Sequence, residues 1–351
     1  MVWQFQVRKN FVAIQADEVL SKLLPKLKQE KEVLVFDKKK YLGFVNKRDI
    51  IRVGINLPEE KVCNLVFKPP TIYENTDELT IAKYFVETGA YYLPVLDLND
   101  KNKILSVIYR DDFLKDVVSP YLKKIMVKEI PSKSIKTIRK EDNLAKALSL
   151  FQEFNISKLI VYNDKLEGII TLSNIITMFM HSTQVSKRIL QNTLVKEVMK
   201  EDVITIEKSA LVPKVINLFL EKNVSSVVVL DNLNLFGIIT KTDLLERYIY
   251  LKEGELKQSS IQISAKFPEL DKVDLEKRLS QLERFGKGQI KIFAYYKKRK
   301  EKFRGLPLIN CRVRVIGPKQ SFNTNVEGWG VEHATELAIK KLKRQMGEVS
   351  L

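Results

Sequence analysis

The chain has 351 residues, enough for two or more domains, with 45% hydrophobic and 29% charged residues, the ordinary balance of a globular protein. Sixty Lys and Arg against 43 Asp and Glu give a net charge of +17, and its concentration in the last third points to a polyanionic partner there, nucleic acid before anionic membrane, while the rest reads as a solvated charged surface. No run of about 18 apolar residues offers a membrane span, and two cysteines, Cys63 and Cys311, beside only His181 and His333, argue against a disulfide framework or a zinc site.

Residues 1–10 lack the basic, apolar and small-residue succession of a secretory signal, so a reducing cytoplasm is expected. Beyond them one pattern recurs four times: a short β-rich run, an amphipathic helix, an apolar strand, a turn, a second strand and a closing helix. The apolar strands are Val33–Phe36, Leu93–Leu96, Leu159–Tyr162 and Val227–Leu230, short and β-branched as buried strands are. Each is followed by a landmark, beginning at Gly43, Ser106, Gly168 and Gly237, 62 to 69 residues apart. Leu144–Phe151 and Val215–Leu220 carry apolar residues at helical spacing. A unit of this length cannot bury both faces of its sheet alone, so the units are expected to pack in pairs.

These four βαββα units resemble CBS domains, which occur as tandem pairs. The resemblance implies a first pair over residues 1–120 and a second over 121–250. In that family Gly-x-x-Thr-x-x-Asp serves a nucleotide: the Thr at a helix start meets phosphate and the Asp accepts from ribose hydroxyls. The fourth copy keeps it whole as Gly237, Thr240 and Asp243; the third has Thr171 with Asn174 in place of the acid. The first has Asn46 and Asp49, and the second Ser106, Tyr109 and Asp112. An adenine nucleotide in the second pair, on Thr240, Asp243 and Thr171, is therefore the expected ligand, with no cofactor required. The same Thr-x-x-Asp is equally an ordinary helix cap that needs no ligand. No Gly-rich phosphate loop, HExxH or nucleophile elbow is present, and a non-enzymatic protein is expected.

Residues 251–260 are polar and read as a linker. From Lys252 to Leu351 there are 22 basic and 12 acidic residues, so this last stretch carries +10 of the net charge. Its elements read as a strand at Ile261–Phe267, a helix at Asp271–Phe285 with Val273, Leu275, Leu279, Leu282 and Phe285 on one face, and strands at Gln289–Tyr296, Leu308–Ile316 and Ser321–Glu327. A closing helix over Gly330–Met346 completes an α+β order, βαβββα, expected to form an antiparallel sheet with both helices on one side. Lys297–Arg304 reads as a basic hairpin loop.

That order, with the basic closing helix Glu332–Met346, resembles the ribosome hibernation-promoting factor family, and the whole chain resembles archaeal CBS-domain ribosome hibernation factors. The resemblance implies binding to the small ribosomal subunit and its rRNA, with the repeats dimerising or bridging subunits as a homodimer, away from membranes. Candidate RNA contacts are Lys277, Arg278 and Arg284 on the first helix, Lys297, Lys298, Arg299, Lys300, Lys302 and Arg304 in the loop, and Lys340, Lys341, Lys343 and Arg344 on the second helix. Such cations neutralise phosphate with steep salt dependence and little sequence preference. Tyr295, Tyr296, Phe303 and Trp329 are candidates either for base stacking or for core packing. The alternative function is an adenine-nucleotide-sensing regulator of a protein partner.

Overall fold

The computed structural model describes residues 3, 5–46, 60–131, 135–154, 156–180, 187–256, 261–265, 270–286, 290–317 and 320–347. Four modules of one design occupy the first 256 residues. Module 1 is β1 (Ala13–Gln15), α1 (Leu20–Gln29), β2 (Glu32–Asp37) and β3 (Lys40–Asn46). Its closing helix, expected around Asp49, lies outside the described residues. Module 2 is α2 (Glu78–Thr88), β4 (Tyr92–Leu96), β5 (Ile104–Tyr109) and α3, a continuous helical run over residues 110–121. Module 3 is β6 (Thr137–Ile138), α4 (Leu144–Glu153), β7 (Lys158–Asn163), β8 (Lys165–Thr171) and α5 (Leu172–Met180). After α6 (Lys187–Asn192), module 4 is β9 (Thr205–Glu207), α7 (Val212–Glu221), β10 (Ser226–Asp231), β11 (Asn234–Thr240) and α8 (Lys241–Leu256).

Residue chemistry sets these boundaries. The Asp77 carboxylate accepts from the Thr80 amide at 2.9 Å to start α2, and Gly89, at φ 67°, ends it in a conformation a side chain would strain. Asn143 caps α4 in the same way through the Lys146 amide at 3.0 Å. In every module the antiparallel pair carries a bulge after the same valine: Val35, Val95, Val161 and Val229. Opposite that valine stand Gly43, Ser106, Gly168 and Gly237, the residues that open the four sequence landmarks.

Part of the reason for the small residue is a crossing segment. The chain after module 1 lies on β3 through a Phe44–Phe67 bridge, and the chain after module 3 lies on β8 through Ile169–Lys200. A Cβ at Gly43 would overlap the Phe67 carbonyl, and one at Gly168 would stand 2.8 Å from the Lys200 carbonyl oxygen. The N-terminal segment does the same to module 2 through Arg8–Val107. Segments also cross between modules 3 and 4: Val127 and Lys128 donate to the carbonyls of Ala210 and Lys208, and Val195 and Lys196 to those of Asp142 and Lys140. Modules 1 and 2, and modules 3 and 4, are therefore interlocked pairs.

The pairs meet through modules 2 and 4, which share one apolar core containing Phe85, Phe113, Phe219 and Tyr248, while modules 1 and 3 keep cores of their own. Lys83 of α2 and Glu253 of α8 form a buried ion pair at 2.8 Å across that junction. Residues 251–256, read from sequence as linker, instead continue α8, because Leu251 and Glu253 pack into the body; residues 257–260 lie outside the described residues.

The C-terminal domain is β12 (Ile261–Ala265), α9 (Lys272–Leu279) followed by a tighter turn over Ser280–Gly286, β13 (Lys291–Phe303), β14 (Leu306–Ile316), β15 (Ser321–Trp329) and α10 (Val331–Gly347). The expected βαβββα order is present, with sheet order β12-β13-β14-β15. The sheet is mixed and not antiparallel throughout: β12 runs parallel to β13, as a strand linked to the next by a helix must to return on the same side. Leu275, Leu279, Leu282, Ala334, Ala338 and Leu342 pack on Ile292, Ala294, Tyr296, Cys311 and Val313. Val273 and Phe285, expected on that apolar face, point away from it, Val273 being 78% exposed.

The basic stretch 297–304 is not a loop. Lys297–Phe303 extends β13, and the connection to β14 is a two-residue turn at Arg304 and Gly305 with φ of 48° and 82°, the type I′ geometry of tight hairpins.

Candidate functional site

Thr240 ends β11 and Asp243 lies in the first turn of α8. The Thr240 amide and hydroxyl both donate to one Asp243 carboxylate oxygen at 2.7 Å, and the carboxylate is buried. Module 3 repeats this with an amide side chain: Thr171 donates to the Asn174 oxygen from its amide at 3.0 Å and its hydroxyl at 2.5 Å. Both constellations thus act as helix caps. An open groove of about 580 Å³ lies beside the second, lined by Ser173, Asn174, Thr177, Met178, Thr193, Glu197, Val198 and Lys200; Thr240 and Asp243 do not line it.

A second arrangement, without a sequence motif, lies at the meeting point of the modules. Lys241, next to Thr240, is 2% exposed and reaches across to Asp111 of module 2 at 2.6 Å. Arg110 and Lys31 both lie over the Tyr91 ring, 4.7 and 5.2 Å from its centroid, and both bear electrostatically on Lys241. Lys31 donates to Asn223 at 3.3 Å, and Lys158 of module 3 to the Ser225 carbonyl at 3.1 Å. Cations from all four modules therefore converge on the junction. Burial pushes the Lys241 ammonium down to about 8, against the pull of Asp111. These residues have no common motif, since only the module packing brings them together.

The C-terminal cations are distributed over three regions. On α9, Arg278 is held by Asp274 at 2.5 Å and Glu336 at 3.0 Å and Lys277 is exposed, while Arg284, in the turn that follows, lies over Phe285, 5.1 Å from its centroid. On α10, Lys340 is exposed and Lys343 donates to Gln281 at 2.9 Å. The end of α10 touches α4 of module 3: Lys341 donates to the Gln152 carbonyl at 3.3 Å and Arg344 pairs with Glu153 at 3.7 Å. Burial lowers the Lys341 ammonium. At the hairpin, Lys297 lies 4.8 Å over Phe67, Arg299 pairs with Glu327 at 2.9 Å, and Lys298, Lys302 and Arg304 are exposed; Lys300 is a residue of β13. Several of the expected RNA contacts are thus engaged by the protein itself.

The sheet face turned away from α9 and α10 is covered by the modules. Ser264 donates to the Glu87 carboxylate at 3.0 Å, Arg312 to the Glu87 carbonyl, and Arg314 meets Glu246 at 2.6 Å. Phe293 and Ile316 enter the core shared by modules 2 and 4, and Tyr295 stands 6.1 Å from Phe67. Tyr295 is buried here and Tyr296 on the helix side, its hydroxyl 2.9 Å from that of Thr335, so both are packing residues.

Comparison with known proteins bears on both halves. The CBS domain family matches residues 62–119, 127–181 and 195–250. A CBS domain-containing protein of Dictyostelium discoideum is 32% identical over 144 residues, 39% of this chain and 99% of its own length. The chain belongs to the CBS-domain family. Its first CBS module falls outside the matched residues but repeats the strand order of modules 3 and 4 and the bulge found in all the others. Residues 260–350 match the family described as Hibernation factor Hib, C-terminal domain. Protein MJ1225 of Methanocaldococcus jannaschii, in its crystal structure, superposes with a TM-score of 0.60 at 20% identity, over 70% of this chain and 98% of that one. A protein of Pyrococcus horikoshii gives 0.50 at 18%, over 69% and 97%. These two likenesses concern the CBS body's fold. Among curated relatives, MJ1404 of M. jannaschii is 23% identical over 71% of the chain and MJ1232 35% over 41%; the chain spans 62% and 49% of their lengths. Among the described residues no helix is long and apolar enough to cross a membrane.

Proposed function

We propose that this CBS-domain protein is a non-catalytic, cytoplasmic ribosome hibernation factor that binds the small ribosomal subunit and its rRNA through its C-terminal domain. The observation that carries the reading is the hibernation-factor match over residues 260–350, coincident with the stretch that bears +10 of the charge. A relative 21% identical over 62% of this chain, from Thermofilum pendens, is described as a 33.4 kDa protein in the ribosomal RNA operon, which is in keeping with it. Lys277, Lys298, Lys302, Arg304 and Lys340 are exposed and are the proposed phosphate contacts. Contacts of this kind release counterions, so affinity falls steeply with salt. The CBS body, alone or as a homodimer, would hold the subunit idle by bulk. Co-sedimentation with purified small subunits across a salt series is the test: binding at low salt that fades as salt rises supports the reading, and no binding at low salt ends it.

A second reading, an adenine-nucleotide sensor acting on a protein partner, is favoured by the convergence of Lys31, Arg110, Lys158 and Lys241, which suits a phosphate chain. Thr240, Asp243 and Thr171 would serve the nucleotide once their caps opened. Calorimetry with AMP, ADP and ATP on the wild type and Asp243→Ala separates the readings: tight nucleotide binding without subunit binding favours the sensor.

A further inference from the structure

The tip of the β13–β14 hairpin presents large apolar side chains to solvent in the most cationic part of the chain. Phe303 is 53% exposed and Leu306 51%. The Phe303 ring lies 5.6 Å from the Trp329 ring, with 40° between the planes, and the Arg304 guanidinium stands 5.3 Å from the Phe303 centroid. Lys302 is exposed beside them. The Arg299–Glu327 pair ties the hairpin to β15, so Arg299 braces the tip. The type I′ turn fixes the approach of the two strands, which lowers the ordering cost of any contact made there.

Exposed aromatic surface rimmed by cations fits one chemistry well: a nucleobase laid on the ring while its phosphates meet Lys and Arg. Two or three apolar side chains are far too little surface for a stable protein interface, which needs on the order of 800 Å² from each partner. One ring is enough for one base. In an A-form duplex the base faces are stacked and hidden, so the tip suits unpaired nucleotides.

We propose that Phe303 and Trp329 form a stacking platform for an unpaired nucleotide of RNA, with Lys302 and Arg304 on its phosphates. The inference rests on the RNA-binding half of the ribosome reading and names the element of RNA that the hairpin takes.

The chain has two tryptophans, Trp3 and Trp329, so Trp3→Phe leaves Trp329 as the sole reporter. Titrating that protein with a short oligouridylate at low salt is expected to quench its fluorescence saturably. Phe303→Ala on the same background is expected to weaken binding about tenfold, the scale of one base stack, and Phe303→Tyr to retain it. The oligonucleotide annealed to its complement, and polyglutamate, are expected to bind weakly. Quenching by the duplex or polyglutamate as strong as by the single strand overturns the platform, as does full oligouridylate affinity in Phe303→Ala. Small subunits are assayed in parallel. Wild type and Phe303→Ala sedimenting equally with subunits overturns the platform and leaves the ribosome reading standing. Wild type failing to sediment while oligouridylate still quenches Trp329 overturns the ribosome reading and not the platform.

Discussion

Arg314, on the face of the C-terminal sheet that meets the CBS body, is locked 2.6 Å from the carboxylate of Glu246, a residue of α8 that is 2% exposed. The pair joins the two halves of the protein across a largely buried contact. Removing one partner of a buried pair leaves the other charge stranded, at roughly 3–5 kcal/mol. Arg314→Met is expected to lower the urea midpoint accordingly. Replacing both together, Arg314→Met with Glu246→Leu, is expected to recover most of the loss. Equal midpoints for wild type and Arg314→Met would show that the contact adds nothing.

Lys241 gives the protein a pH signature. Its ammonium titrates near 8 when folded, below the ordinary 10.5 of the unfolded chain. Between those values the unfolded chain binds the extra proton, so stability gains as pH rises through the window, and the cost of burying the charge is fully present below it. The wild-type minus Lys241→Met stability difference is expected to grow more favourable to wild type from pH 7.5 to 10. Urea midpoints of the two proteins at each pH measure it. A nucleotide phosphate beside Lys241 would raise its proton affinity, so binding at pH 8 is expected to take up protons. Calorimetry in buffers of different ionisation enthalpy reads that uptake directly.

Two glycines separate close approach from ordinary helix. Gly168→Ala places a Cβ against the Lys200 carbonyl and is expected to cost about 1–3 kcal/mol. Gly254→Ala, in α8 with open space around it, is expected to stabilise by about 0.5–1 kcal/mol. Thermal unfolding of both variants checks the opposite signs.

The two cysteines should differ in reactivity. Cys311 is enclosed in the C-terminal core, and burial pushes its thiol up to about 12, whereas Cys63 is exposed. A thiol reagent at neutral pH is expected to modify one cysteine in the native protein and two in denaturant. Rapid modification of Cys311 in the native state would contradict the core packing.

Cations should divide by their partners in the salt series. Lys302→Ala and Arg304→Ala are each expected to reduce the slope of log affinity against log salt by about 1. Arg278→Ala, whose charge is already met by Asp274 and Glu336, is expected to leave the slope unchanged. Small-subunit binding at several salt concentrations gives the slopes.

The repeats were legible because Gly43, Gly168 and Gly237 each follow a β-branched run, and two of them are required by a crossing strand. The order of the C-terminal elements was legible from alternation and helical spacing. What alternation could not reveal is what lies outside a strand. Alternation in Leu308–Ile316 sets Arg312 and Arg314 on one face, and the surface opposite them is another part of the same chain. Lys297–Phe303 looked like a loop because its side chains are cationic, while the turn that defines the hairpin is carried by Arg304 and Gly305. The junction of Lys31, Arg110 and Lys241 has no linear trace, since each residue comes from a different module.

Because helices take one face of the C-terminal sheet and the CBS body takes the other, the domain has no broad plane left to offer. Under the ribosome reading, contact would be made along the rim, at a strand turn and the backs of two helices, and the four modules would come along as an attached mass that the subunit has to accommodate.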